Sequence, residues 1–161
     1  MKKPISAVAT MAFLLLGFSF AVAAELPPVP PLPKKFKSIQ IAKPDPSVPK
    51  EIAAFLGEWE GAWKYVGPMG RQLSFGQESR RAKFIIYEVS SDKIKFLYGI
   101  AESPHHPGKE GWRKLETDIR EEGGKTRFSF VGGWRMGFYL EMGVLIGSSG
   151  GEYELEMKRV K

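Results

Sequence analysis

The chain contains no cysteine, which excludes disulfide staples, thiolate zinc or iron–sulfur ligation, a cysteine nucleophile and a lipid-modified N-terminal cysteine. It contains no asparagine, so it carries no N-glycosylation acceptor. Histidine occurs only as the neighbours His105 and His106. Beyond residue 25 no apolar run approaches the ~20 residues needed to span a bilayer as a helix. A strong charge excess is also missing where a domain would fold. The formal net charge is +6 over 161 residues, yet residues 51–161 hold 17 basic and 16 acidic side chains. The surplus lies in residues 1–50, so the basic isoelectric point is no footprint of nucleic-acid binding, and no nucleic-acid partner is expected.

The first 24 residues read as a signal peptide. Lys2 and Lys3 precede an uncharged stretch with Met11-Ala12-Phe13-Leu14-Leu15-Leu16 at its centre and Ala21-Val22-Ala23-Ala24 at its end. Cleavage is expected between Ala24 and Glu25, with Ala23 the near alternative, and export from a bacterium to the periplasm or the medium follows. The competing reading is an uncleaved anchor. With the leader removed, no integral membrane protein is expected.

Residues 25–50 form a proline- and lysine-rich segment holding eight of the twelve prolines, in Pro27-Pro28-Val29-Pro30-Pro31-Leu32-Pro33 and again from Pro44 to Pro49. Proline fixes φ and donates no hydrogen bond, so an extended linker is expected. The segment is a spacer on the plain reading. On the sharper one it is an arm reaching an envelope component or an anionic surface, and removing residues 25–46 would then abolish association while leaving the fold intact.

Residues 51–161 carry the period of strands. After Ser47 as a candidate N-cap, Pro49 to Phe55 makes a short helix with Ile52 and Phe55 on one side and Gly57 as a stop. Trp59, Gly61, Trp63 and Tyr65 then alternate with Glu58, Glu60, Ala62 and Lys64. Ala82–Val89 and Lys93–Glu102 make a hairpin at Ser90-Ser91-Asp92. Trp112–Arg120, Thr126–Val131, Arg135–Met142, Val144–Gly147 and Glu152–Lys158 follow, separated by glycine-rich turns. Seven or eight such strands describe an all-β antiparallel up-and-down meander, and closing into a small barrel removes its edges, where an open sandwich would keep them.

Leu56-Gly57-Glu58-Trp59, placed after a short helical turn, resembles the Gly-x-Trp opening of lipocalins and other calycin-type barrels. Tyr98-Gly99 and Pro107-Gly108-Lys109-Glu110-Gly111-Trp112-Arg113 add a likeness to exported bacterial proteins with a lipocalin-like domain. The resemblance implies that Gly57, Trp59 and a basic partner, here Arg159, close one end of the barrel. Thr117-Asp118-Ile119 matches the second lipocalin motif only in part.

Few groupings suggest chemistry. Gly147-Ser148-Ser149-Gly150-Gly151 has the spacing of a nucleophile elbow but lacks a following helix and a later histidine, so it reads as a hairpin. His105 and His106 have no third nitrogen or sulfur ligand, and no metal or cofactor is expected. Glu58 and Glu60 share one strand face, the only basis for a hydrolase reading. The 16 aromatic residues of the domain are the larger signal. Trp63, Phe96, Tyr98, Phe130, Phe138 and Tyr153 fall at inward positions, as a core alone or as a core that also lines a site for a small apolar or amphipathic ligand. A non-enzymatic binding protein is the expectation.

Overall fold

The computed structural model describes residues 25–67, 77–103, 109–132 and 135–160. Eight strands follow the short helix α1 (Lys50–Ala53): β1 (Gly57–Tyr65), β2 (Glu78–Val89), β3 (Lys93–Ile100), β4 (Gly111–Glu122), β5 (Lys125–Val131), β6 (Arg135–Glu141), β7 (Val144–Ser149) and β8 (Tyr153–Arg159). Each pairs antiparallel with its sequence neighbours, and β8 returns to β1, so the sheet closes into a barrel in chain order. The meander expected from the alternation is therefore the fold.

Turn chemistry makes this order accessible. Gly123-Gly124, Met142-Gly143 and Gly150-Gly151 all have positive φ, at 61° and 71°, 47° and 78°, and 60° and 71°. Two successive left-handed residues give a turn whose twist matches that of antiparallel strands. Met142 is the one non-glycine among them, and its side chain stands 97% exposed at the hairpin tip.

Alternation then sorts the side chains. On β1 the inward set is Trp59, Gly61, Trp63 and Tyr65; on β2 and β3 it includes Phe84, Ile86, Ile94, Phe96 and Tyr98. Phe128, Phe130, Phe138, Leu145, Leu155 and Met157 complete an interior in which most members are under 9% exposed. Eight strands enclose a space that side chains can fill, and here aromatic rings fill its middle.

Two details differ from the sequence reading. Ser47 does not cap α1; its backbone N–H and hydroxyl both donate to Asp45 Oδ1, at 2.8 and 2.6 Å. Pro49 holds the N-cap position instead, where a missing N–H costs nothing. Strand β2 begins at Glu78 rather than Ala82, because its first inward position is Arg80, which carries no apolar signal.

The segment read as an extended linker runs along the outer wall of β2, β3 and β4. A single 3-10 turn at Lys34–Phe36 drives Phe36 against Ile85, Tyr87 and Leu97, with Leu32, Ile39 and Trp112 around them. The Trp112 indole donates to the Pro30 carbonyl at 2.7 Å, and the Ala42 N–H donates to the Tyr87 carbonyl at 2.7 Å. That carbonyl is accessible because the β2–β3 register slips between Ile86 and Glu88, a bulge that leaves Tyr87 out of the ladder. Gly99 makes room for the Trp112 ring, since a Cβ there would stand 2.8 Å from it.

A candidate ligand site at the barrel mouth

At the start of β1 the end is shut. The Arg159 guanidinium lies 4.3 Å from the Trp59 ring centroid and donates to the carbonyls of Leu56 and, at 2.7 Å, Ala54. Trp59 Nε1 donates to the Phe55 carbonyl at 2.8 Å. Gly57 has φ +130°, and a Cβ there would collide with the Arg159 guanidinium. Gly57, Trp59 and Arg159 thus meet in one place, with α1 folded over them.

The middle is occupied by protein. Phe84 has five aromatic neighbours, Tyr98, Phe138, Phe96, Phe130 and Phe128, at centroid distances from 4.7 to 6.2 Å. Phe138 lies stacked between Phe128 and Phe130, at 5.1 and 5.4 Å. Of the six aromatic residues singled out from the sequence, Phe96, Phe130 and Phe138 therefore turn their faces chiefly to other rings. The space they would have offered a ligand is the core itself.

Trp63, Tyr98 and Tyr153 lie nearer the other end, the mouth, where β1 ends and β8 begins. Trp63 Nε1 donates to the Tyr98 hydroxyl at 2.9 Å, and Tyr65 packs edge-on to Tyr153 at 5.5 Å. Two residues that the sequence reading gave no role in a site join them. In an antiparallel pair, residues directly opposite share a face. Arg80 is opposite Trp63, and Arg113 is opposite Tyr98, so both side chains are directed inward. One Arg113 guanidinium nitrogen approaches within 3.5 Å of where a Gly132 Cβ would stand, beside Phe130 and Met136. Among the described residues no carboxylate forms an ion pair with Arg113.

Burial sets the electrostatics. It pushes the Tyr98 phenol up to about 12, against the opposing pull of the Trp63 hydrogen bond and of the Arg80 and Arg113 charges. Burial also pushes the Arg80 guanidinium down; Tyr98 acts against that shift and the like charge of Arg113 adds to it. The mouth is thus a place of hydrogen-bond donors and positive charge over an aromatic floor. Extending the period of β2 by one inward step, from Phe84 through Ala82 to Arg80, would have found half of it.

The other groupings lead elsewhere. Glu58 and Glu60 lie on the outer wall, and both carboxylates engage Lys83 Nζ, at 3.0 and 2.8 Å. They face a groove of about 760 Å³ between that wall and Pro28–Leu32. Ser148 and Ser149 end β7 before the Gly150-Gly151 turn, the hairpin expected of them. His105 and His106 lie outside the described residues. Among the described residues no group of three or more metal-binding side chains occurs, and no helix is long and apolar enough to cross a membrane.

Strand order and closure make the chain an eight-stranded antiparallel up-and-down barrel. No family model matches it, and no curated protein is found to be similar. Among solved structures, a point mutant of the fluorescent protein UnaG is similar at a TM-score of 0.40 and 14% identity, over 67% of this chain and 97% of that one.

Proposed function

We propose that this protein is an exported, non-enzymatic bacterial barrel that holds one small amphipathic molecule at its mouth. The observation that carries the reading is the Trp63–Tyr98 pair. Its indole and phenol sit above a floor of packed rings, and Arg80 and Arg113 are directed into the same end. Binding sites combine apolar walls with a few placed polar groups, and the mouth has both. The leader pattern from Lys2 to Ala24 supports export. Trp63 is part of the site, so its fluorescence reports on occupancy. Titration with fatty acids, sterols and glycans is expected to change the emission saturably for at least one class and not in a Trp63→Phe variant. No response to any of them would defeat the reading. Native mass spectrometry of protein purified gently from its host's envelope fraction then gives the mass of the resident molecule.

One observation favours a second reading, an envelope contact through the N-terminal segment. Burial of Phe36 fixes Lys34, Lys35 and Lys37 in exposed positions on the outer wall. If these lysines meet an anionic layer, replacing all three with glutamine abolishes co-sedimentation with anionic vesicles and leaves the fold untouched. Unchanged co-sedimentation would remove this reading.

A further inference from the structure

A groove of about 760 Å³ runs outside the barrel, between the wall of β1, β2 and β8 and the Pro28–Leu32 stretch of the N-terminal segment, and its size is within the ~300–1,000 Å³ of ligand clefts. We propose that this groove is a second binding site, independent of the mouth, and that it takes a chain of uncharged sugar residues. Its floor follows from register. Residues directly opposite on antiparallel strands share a face, so each outward residue of β1 has its β2 and β8 partners beside it. One row across the three strands is Lys83, Glu60 and Lys158; the next is Arg81, Ala62 and Glu156. Ala62 alone in these two rows lacks a long side chain, and it lies 9% exposed, sunk between Arg81 and Glu156. The other side of the groove is apolar, made by Pro28, Pro30, Pro31, Leu32 and Trp112, whose ring lies over Gly99. The Trp112–Pro30 hydrogen bond at 2.7 Å and the burial of Phe36 hold that side in place.

Among the described residues, four carboxylates and four cations line the groove, so the lining charges cancel. Most are already met: Lys83 Nζ engages Glu58 and Glu60 at 3.0 and 2.8 Å, Lys64 approaches Glu156 at 3.8 Å, and Arg81 meets Glu25 at 2.8 Å. Nothing in that balance selects an anion, a cation or a phosphate backbone. An acyl chain is a poor fit, because it would strip water from these groups and return no hydrogen bonds. An extended peptide is held by main-chain ladders and finds none here, since the closed barrel leaves no free edge and the prolines donate no N–H. A sugar chain meets both sides. Its C–H ring faces pack on proline and tryptophan, while its hydroxyls donate to the Glu60 and Glu156 carboxylates and accept from Lys83 and Lys158. A lysine ammonium has three donors, so Lys83 keeps one after both of its carboxylates are met. The recess over Ala62 leaves room for a ring substituent between the two rows.

The test titrates the full-length protein calorimetrically with cellopentaose, maltopentaose and chitopentaose and with the disaccharide of each. At least one series is expected to bind, its pentasaccharide about tenfold more tightly than its disaccharide, with an affinity that added salt leaves unchanged. Ala62→Leu fills the recess and Glu60→Ala removes an acceptor beside it, and each should weaken binding about tenfold. Both positions face outward, and circular dichroism checks that the variants fold. Protection of Lys83 and Lys158 from acetylation by the bound saccharide locates the site in the unaltered protein and needs no variant. Trp63→Phe should leave saccharide binding unchanged, which keeps this site distinct from the mouth. Binding that Trp63→Phe abolishes and Ala62→Leu spares would put the sugar at the mouth and overturn the groove. Silence towards all six saccharides would overturn the groove as a sugar site, while the mouth would still be judged on fatty acids and sterols. Capture of dextran sulfate or of an extended decapeptide in place of the saccharides, lost in Ala62→Leu, would overturn the choice of sugar.

Discussion

Replacing Phe36 with alanine tests whether the N-terminal segment belongs to the fold. Phe36 is 8% exposed, and its neighbours Ile85, Tyr87 and Leu97 are 9%, 7% and 0% exposed although they stand on the outer wall. Truncation removes one face of that cluster. A buried Phe→Ala change costs about 3–5 kcal/mol in a closed core. Here the segment can relax over the gap, so the lower end, about 3 kcal/mol, is expected. A domain of this size is stable by only ~5–15 kcal/mol, so that loss is large. At a typical slope it lowers the urea midpoint by about 1–3 M. Urea unfolding followed by tryptophan emission reads this directly, with Lys35→Ala as the control: Lys35 Nζ lies 4.9 Å from the Phe36 ring but is exposed, so that change should cost little. An unchanged midpoint for Phe36→Ala would show that the segment rests on the barrel without stabilising it. The expected loss carries a consequence for any test of envelope association. Removing residues 25–46 strips Leu32, Phe36 and Ile39 from an apolar wall, so it would destabilise the barrel as well as release the arm. The lysine substitutions are the cleaner experiment.

Met142→Gly should stabilise the protein by about 1 kcal/mol, because a left-handed residue costs an L side chain roughly that much and the exposed methionine loses no packing. The thermal midpoint should rise by a few degrees, and a fall would refute the account of the turn. Arg159→Met removes the cation over Trp59 and two hydrogen bonds to the carbonyls of Leu56 and Ala54, at an expected cost of about 2 kcal/mol. Chemical denaturation checks it, and no loss would mean that the end is closed by α1 alone. The native protein holds the Tyr98 proton to about pH 12, whereas an unfolded tyrosine releases it near pH 10. This contribution is therefore intact below pH 10 and is lost between pH 10 and 12, by about 3 kcal/mol in all. Tyr87 is also shifted upward by burial and adds to the same decline, so the slope should shrink but not vanish in Tyr98→Phe. A slope identical in that variant would refute the assignment.

Strand number and order were legible because most of the wall obeys one rule, with apolar side chains inward and charged ones outward. β8 shows it plainly: Leu155 and Met157 are buried while Glu154, Glu156 and Lys158 are exposed. The closing residues Gly57, Trp59 and Arg159 came from the likeness to the Gly-x-Trp opening and from no period. What the structure adds is the close approach of the Arg159 guanidinium to a Gly57 backbone with positive φ, which composition and alternation do not show. The interior as a candidate pocket was harder. Composition shows that a face is aromatic, whereas ring-to-ring distances decide whether anything else fits between.

What pattern reading missed lies where the rule reverses, and the reversals are back to back. Trp112 is directed outward to hold Pro30, while its neighbour Arg113 is directed inward beside Tyr98. Across the ladder, outward Leu97 is wholly buried beneath the N-terminal segment. A sheet with one wet face cannot afford that; a sheet covered on both faces can. The unbroken apolar runs Ile85-Ile86-Tyr87 and Phe96-Leu97-Tyr98 are the sequence trace of that double cover. The few apolar residues that supply it, Leu32, Phe36 and Ile39, are too scattered among prolines and lysines to show a period. Arg113 is thus the one charged residue at an inward position of the β3–β4 ladder, between the apolar interior on one face and the covered exterior on the other.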